Sequence, residues 1–525
     1  MRTTNTILAL AVRQALTGGL LLCGMSSVAF ADAFNAGDLI VSSTTYAGTS
    51  ATVTVGQSLS VGTAVADGSF PNVFKNEVPD ASFGVTSPIS LLDMTTSGTV
   101  VNTLPIDTSK MTTSFASKSE LSLNITQDGK GVTFMGYTAP VNTLDVSNSN
   151  TSQVVDATNP VTSTYAREIA NVDLSSGTAQ LTSVNAYSGN NGRAAIEVNG
   201  QYYMVGNAGN GSATGTGLSQ LSDNTGVQTI AVGSSGNTTA VGVVKGVFGS
   251  STGYQHGYTA MDFGATSAQD KTGKDANFRG ETVFDNTLYV TKGSGSNGID
   301  TVFQVGPAHA LANGGKIDPT TATITPLPGF NTTPEKVLEA NTNTPSGVMH
   351  PFGIWFANAT TLFVADEGDG IRIGQAHKSE QYGGLQEWNL VGGSWTLSQI
   401  FQQGLVGHDI ANTLGWTVQE DGLRNITGKV NSDGSFTIYG TSSTISNETT
   451  HDLGADPNEV VAITISGTST AANTSFFDLQ TAGYAQRFGG VALAPSAAVP
   501  LPSSLLMMLT GLGVTGIFGR RRARA

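Results

Sequence analysis

The 525-residue chain has a single cysteine, Cys23, and it lies within the first 31 residues. If that stretch is removed, disulfides, thiolate nucleophiles and cysteine-held zinc are all excluded, and core size alone must supply stability. Charge is scarce as well: 12% of residues are charged, about half the usual share. The six histidines, at 256, 309, 350, 377, 408 and 451, form no H-E-x-x-H pair, which excludes the usual helical catalytic zinc motif. Phosphate loops and dinucleotide fingerprints are missing. Gly249-Ser250-Ser251-Thr252-Gly253 fits G-x-S-x-G only formally, since a Gly/Ser-rich chain produces such matches freely.

Glycine, by contrast, is abundant, at 65 of 525 residues, and shows no three-residue period. Turns therefore dominate, helices are few and collagen is excluded. Aliphatic and aromatic strands recur from end to end, which argues against wholesale disorder. The first 31 residues hold two arginines and no acid, and the last six hold four arginines. The middle therefore carries 24 − 6 = 18 basic against 38 acidic residues, a net charge of −20. That sign disfavours nucleic acid as a partner.

Met1 to Ala31 reads as a signal peptide: Arg2, an apolar stretch through Leu20-Leu21-Leu22, and a small-x-small site at Ala29-Phe30-Ala31. Lipidation at Cys23 is disfavoured because Leu22 precedes it. At the other end, Val499-Pro500-Leu501-Pro502 within linker 495–502 leads into the apolar run Ser503 to Gly519, read as a transmembrane helix. Arg520-Arg521-Arg522 then open a basic cytoplasmic tail, 520–525. At about 1.5 Å per residue the run spans roughly 25 Å, short but adequate for a membrane stop.

This three-part tail resembles the PEP-CTERM sorting signal, with Leu501 where the family name records Glu. The resemblance implies an exosortase-like sorting protease as partner, a Gram-negative-type cell envelope or extracellular location, and an extracellular polysaccharide context. A plain tail anchor is the alternative.

Between the ends, 32–494, a unit repeats. Paired strands read Glu120 to Ile125 with Val132 to Tyr137, Arg193 to Val198 with Tyr202 to Asn207, and Arg279 to Phe284 with Leu288 to Lys292. Two more read Phe352 to Ala357 with Leu362 to Asp366, and Arg424 to Val430 with Phe436 to Gly440. Their starts lie 73, 86, 73 and 72 residues apart. Two further strands follow each pair, Thr239 to Val244 being the fourth strand of the second unit. Four short antiparallel strands per unit predict the blades of an all-β propeller. A last inner strand, Arg487 to Leu493, has no partners after it, so it must pair with Asp38 to Val41, then Ile89 to Met94 and Thr99 to Leu104, closing the ring. Six blades are expected, or seven if the stretch before Lys118 hides another.

Pro351 to Phe356 followed by Leu362-Phe363-Val364-Ala365-Asp366-Glu367-Gly368-Asp369-Gly370-Ile371-Arg372 is similar to the NHL-type propeller repeat, with Asp369 where that family usually has Asn. The resemblance implies the fold and, more loosely, a binding platform.

Propeller ligands sit where inner strands begin. Only six arginines lie between the two ends, and Arg193, Arg279, Arg424 and Arg487 open inner strands. Lys118 and Glu120 flank another such position, and His350 precedes Phe352. This collar either binds a small anion, or is structural, each arginine paired to a carboxylate such as Glu281, Glu120 or Asp421. Asp366, Glu367 and Asp369 are the candidate metal ligands, with calcium the ion considered and no cofactor required. Asp456 and Glu459 belong to a second, looser acidic cluster. Tyr202, Tyr203, Tyr289, Phe363 and Trp388 are expected to pack between blades.

The expected function is an exported binding or matrix module. The alternatives are a propeller enzyme, of lactonase, esterase-like or quinone-dependent sugar dehydrogenase type, working through the collar, and a structural surface protein.

Overall fold

The computed structural model describes residues 33–496 except 60–61, 74–83, 116, 118–119, 145, 157–162, 210–222, 249–250, 257–275, 294–297, 334, 336–337, 339–347, 374–381 and 449–452. The leader, the proline motif, the apolar run, the arginine tail and Lys118 all lie outside the described residues. Among the described residues no helix is long and apolar enough to cross a membrane.

The chain folds into a six-bladed β-propeller. The inner strands of the first five blades are Asn124–Ile125, Gly192–Val198, Phe278–Phe284, Pro351–Asn358 and Val418–Val430. The sixth blade is built from both ends of the domain, in the order Gln486–Leu493, Leu39–Thr45, Ile89–Met94, Val100–Pro105. Leu39 pairs with Leu493 on one side and with Met94 on the other, so the amino-terminal strand is held on both edges.

Six apolar clusters fill the six seams between blades. Strand alternation sends adjacent residues to opposite seams: Tyr202 packs against the first blade, with Met135 and Ile169, and Tyr203 against the third, with Phe278 and Val290. Tyr289 and Trp388 share the seam between the third and fourth blades, and Phe363 lies in the next.

Three departures from the sequence pattern have local causes. In the first blade the inner strand shrinks to two residues because Leu121 has φ +67° and Leu123 N–H turns to the Asn425 side chain. In the second blade the fourth strand stops at Ala240: Gly242 turns the chain at φ +72°, and Val243–Phe248 pairs with Ser251–His256 as a separate hairpin. In the fifth blade the first two strands run on, because Val418 to Leu423 pairs with Ser442 to Ser446 and with an extra edge strand, Asp409–Ile410. Apart from the strands of the sixth blade, the described residues before Lys118 form only short pairs, Ser58–Leu59 with Gly62–Thr63 and Thr86–Ser87 with Thr113–Ser114. The ring closes without a seventh blade.

One device recurs where the blades crowd the axis. Inner strands carry a bulge near their start, and the hydroxyl opposite it bridges to the next blade. Ser42 Oγ accepts Gly490 N–H and donates to the Leu121 carbonyl, both at 2.7 Å. Thr291 Oγ1 accepts Gly280 N–H at 2.9 Å and donates to the Phe352 carbonyl at 2.5 Å. Thr441 does the same between Asn425 and Gly489 at 3.4 and 3.3 Å. Thr133 donates to Ala195 O at 2.5 Å. The approach leaves no room for a side chain: a Cβ on Gly280 would stand 2.2 Å from Phe352 O.

Replacing Thr291 with Val keeps the shape but orphans a buried N–H and a buried carbonyl. The expected loss is about 1–3 kcal/mol of stability, read from urea unfolding of Thr291→Val against wild type.

Candidate functional site

The bulge explains where the arginines go. Arg193, Arg279 and Arg424 sit at the register shifts of their inner strands, and Arg487 stands just ahead of its own. All four are buried. Arg424 Nε donates to Glu367 at 3.1 Å. Arg487 donates to the carbonyls of Phe115 at 3.1 Å and Ser117 at 2.6 Å. Arg193 donates to Phe278 O at 3.3 Å, and Arg279 lies over the Phe352 ring at 5.9 Å. Burial, then the neighbouring Arg424 guanidinium, pull the Arg487 pKa down to about 9, with Glu120 opposing.

Glu120 joins this end of the ring from the first blade. Its carboxyl accepts Thr113 Oγ1 at 2.9 Å, Asn191 Nδ2 at 2.8 Å and the Tyr137 hydroxyl. Burial raises its pKa, and the bonds from Tyr137 and Thr113 oppose the rise. The segment around Phe115 that covers Arg487 is itself held by Tyr46 and Phe70, with ring centroids 5.1 and 6.3 Å away. A fifth buried arginine, Arg167, binds the carbonyls of Ser147, Ser149 and Asn190 and ties two loops together.

Glu281, Glu120 and Asp421 are the carboxylates expected to pair with the collar. Arg424 takes Glu367 instead, and Asp421 accepts Gly370 N–H at 2.7 Å. Glu281 lines an axial cavity of about 210 Å³ together with Asn124, Asn425 and Thr427. Both its carboxyl oxygens are buried without a hydrogen-bond partner, and burial drives its pKa well above the usual carboxylate range. Burial thus favours its protonated form, which can donate one hydrogen bond into the cavity.

His350 is held between the third and fourth blades. Its backbone N–H donates to Asp366 Oδ2 at 2.8 Å, and its ring Nδ1 lies 3.1 Å from Gly293 O and 3.8 Å from Asp300. Asp366 also accepts Gln386 Nε2 at 2.8 Å and Gly368 N–H at 3.1 Å. Burial works against a charged ring, yet Asp366, Asp300, Glu335 and Glu367 hold His350 up at about 9. It is an imidazolium at neutral pH and not a free base.

Asp366, Glu367 and Asp369 do not converge on one point. Asp366 organises the His350 turn, Glu367 faces Arg424, and Asp369 Oδ1 accepts Ile371 N–H at 2.8 Å. Two other groups among the described residues bring ligand-type atoms within 4.8 Å of one another: Asp300, Glu335 and His350, and His408, Glu420, Glu459 and Asp478. The first contains an internal cation, since Lys292 Nζ lies 2.5 Å from Asp300 and 3.9 Å from Glu335. Sequence spacing hides both groups, because their members come from different strands and loops.

No known family's sequence profile matches the chain. No curated protein matches it either. Among solved structures, a chain of a S. cerevisiae complex of variant Dbp5 with Nup159, variant Gle1, IP6 and ADP overlaps 82% of this chain and 80% of its own, at 8% identity and TM-score 0.28. A variant ACO/RPE65 chimera overlaps 78% of this chain and 59% of its own, at 10% identity and TM-score 0.21. Overlaps of that quality carry no inference about this chain.

His350 yields a pH prediction. Its folded pKa of about 9 lies above the roughly 6.5 of an unfolded histidine, so its stabilising contribution is full below that value and is lost as pH rises through about 9. Thermal midpoints recorded from pH 6 to 10 should fall more steeply for wild type than for His350→Gln.

Proposed function

We propose that this chain is an exported binding module: a six-bladed propeller carried across the inner membrane by its leader. Its PEP-CTERM-like tail holds it there until an exosortase-like protease cuts near Pro500-Leu501-Pro502. The cut chain is then left at the cell envelope or in the extracellular matrix. The observation that carries the binding reading is that the four arginines of the collar are buried in bonds or ring contacts within the propeller. A collar used in this way holds the ring together and does not present open cationic chemistry to a substrate.

What the fold leaves for partners is its loop ends, rich in Gly, Ser, Thr and Asn, a neutral hydrogen-bonding surface suited to hydrated glycans. Extracellular polysaccharide is the partner class these loops and the sorting resemblance share. A small axial ligand is a second reading, favoured by one specific observation: the buried, unbonded Glu281 carboxyl in the axial cavity.

Expression in a host that carries an exosortase-like protease, and in one that lacks it, tests the sorting proposal. Intact mass and membrane fractionation should show a truncated, released chain only in the first host. Substituting Pro500 and Pro502 by Ala, or Arg520 to Arg522 by Gln, should leave the protein membrane-bound and uncut. A full-length chain recovered from the cytosol of both hosts would refute it.

A further inference from the structure

The edge of the fifth blade brings together the second ligand-type group, and the blade's irregularities are what assemble it. His408 precedes the extra edge strand Asp409–Ile410, which pairs with the extended inner strand next to Glu420. Glu459 heads the third strand, Glu459–Ile465, opposite Thr481 of the fourth, Phe477–Thr481. A register shift follows at Val460, so that Val461 faces Asp478 and the bulge re-aims the Asp478 side chain. His408 Nδ1 then lies 3.2 Å from Glu420 Oε2 and 3.9 Å from Glu459 Oε2.

The two glutamates are buried, at 0% and 3% exposure, and Glu420 Oε1 and Glu459 Oε2 have no hydrogen-bond partner. Among the described residues no lysine or arginine forms an ion pair with any of the four, in contrast to Lys292 beside Asp300. Buried carboxylates gathered at such distances need a compensating positive charge or protons. Burial, with Glu459 adding, raises Glu420 to about 9, and burial raises Glu459 as well. His408 and Asp478 are exposed, which leaves an entry side for an ion.

We propose that His408, Glu420, Glu459 and Asp478 bind one divalent first-row transition cation, of which Zn²⁺ is the best match, stapling the edge and outer strands of the fifth blade together. The donor set selects the ion. Calcium takes six to eight oxygens, whereas one imidazole nitrogen with three carboxylates matches a four-ligand cation that accepts both N and O. Carboxylate and imidazole ligands bind the ion in their deprotonated forms, so binding strengthens as pH rises.

The test is calorimetric titration of the chelator-stripped full chain with ZnCl₂ at pH 7.5 and 5.5, with CaCl₂ titrated in parallel. The expected result is one saturable Zn²⁺ equivalent, weaker at pH 5.5, with a thermal midpoint that climbs with Zn²⁺ concentration. His408→Ala and Asp478→Asn should each weaken binding by about 10- to 100-fold. Both alter exposed side chains, so unchanged metal-free thermal midpoints confirm that they fold. No saturable Zn²⁺ binding by the folded wild-type chain overturns the proposal. Binding that neither variant weakens, or Ca²⁺ bound more tightly than Zn²⁺, overturns it equally.

Discussion

The propeller depends on one strand pairing across the whole length of the domain, Leu39–Thr45 against Gln486–Leu493. Five blades are made from consecutive chain and contain their own hydrogen bonds, but a row of such sheets ends in exposed edges. Inserting the amino-terminal strand between the last inner strand and Ile89–Met94 removes those edges and makes each seam a neighbour of two others. The six apolar clusters can then be equivalent, because no blade is terminal.

Closure forces the inner strands against the axis, and the axial chemistry follows from that crowding. Backbone groups at the bulges need partners where side chains have no room, and the hydroxyls of Ser42, Thr291 and Thr441 satisfy two blades at once. In the fourth blade Ala365 falls opposite the corresponding bulge, between the pairs Pro351 with Asp366 and Ile354 with Val364, and packs in the apolar seam to the fifth blade instead. Long arginine side chains beginning beside these bulges reach carbonyls and one carboxylate that the strand ladders leave over. The same burial that makes them good anchors is what removes them from solvent.

Buried charge in this acidic protein is handled in three ways. Arg424 with Glu367 and Lys292 with Asp300 are direct ion pairs. Glu120 is surrounded by neutral donors from Thr113, Asn191 and Tyr137. Glu281 and Glu420 have no such provision for all their oxygens, and a raised pKa is the physical result. Those two mark where the structure has unspent binding capacity.

Spacing and alternation alone determined the class, the six-blade count, the closure by Asp38 to Val41 and the placing of Tyr202, Tyr203, Tyr289, Phe363 and Trp388 in the seams. Each is a consequence of period-two burial repeated at similar intervals, which a linear sequence displays directly. It also located the arginines at the heads of inner strands. What those side chains do was decided by tertiary structure, because Glu367, Phe115 and Phe278 reach them from other strands and loops. The His408, Glu420, Glu459 and Asp478 group was invisible for the same reason. Its members span about 70 residues and meet only because an extra edge strand and a bulge, neither of which has a periodic signature, bend the fifth blade around them.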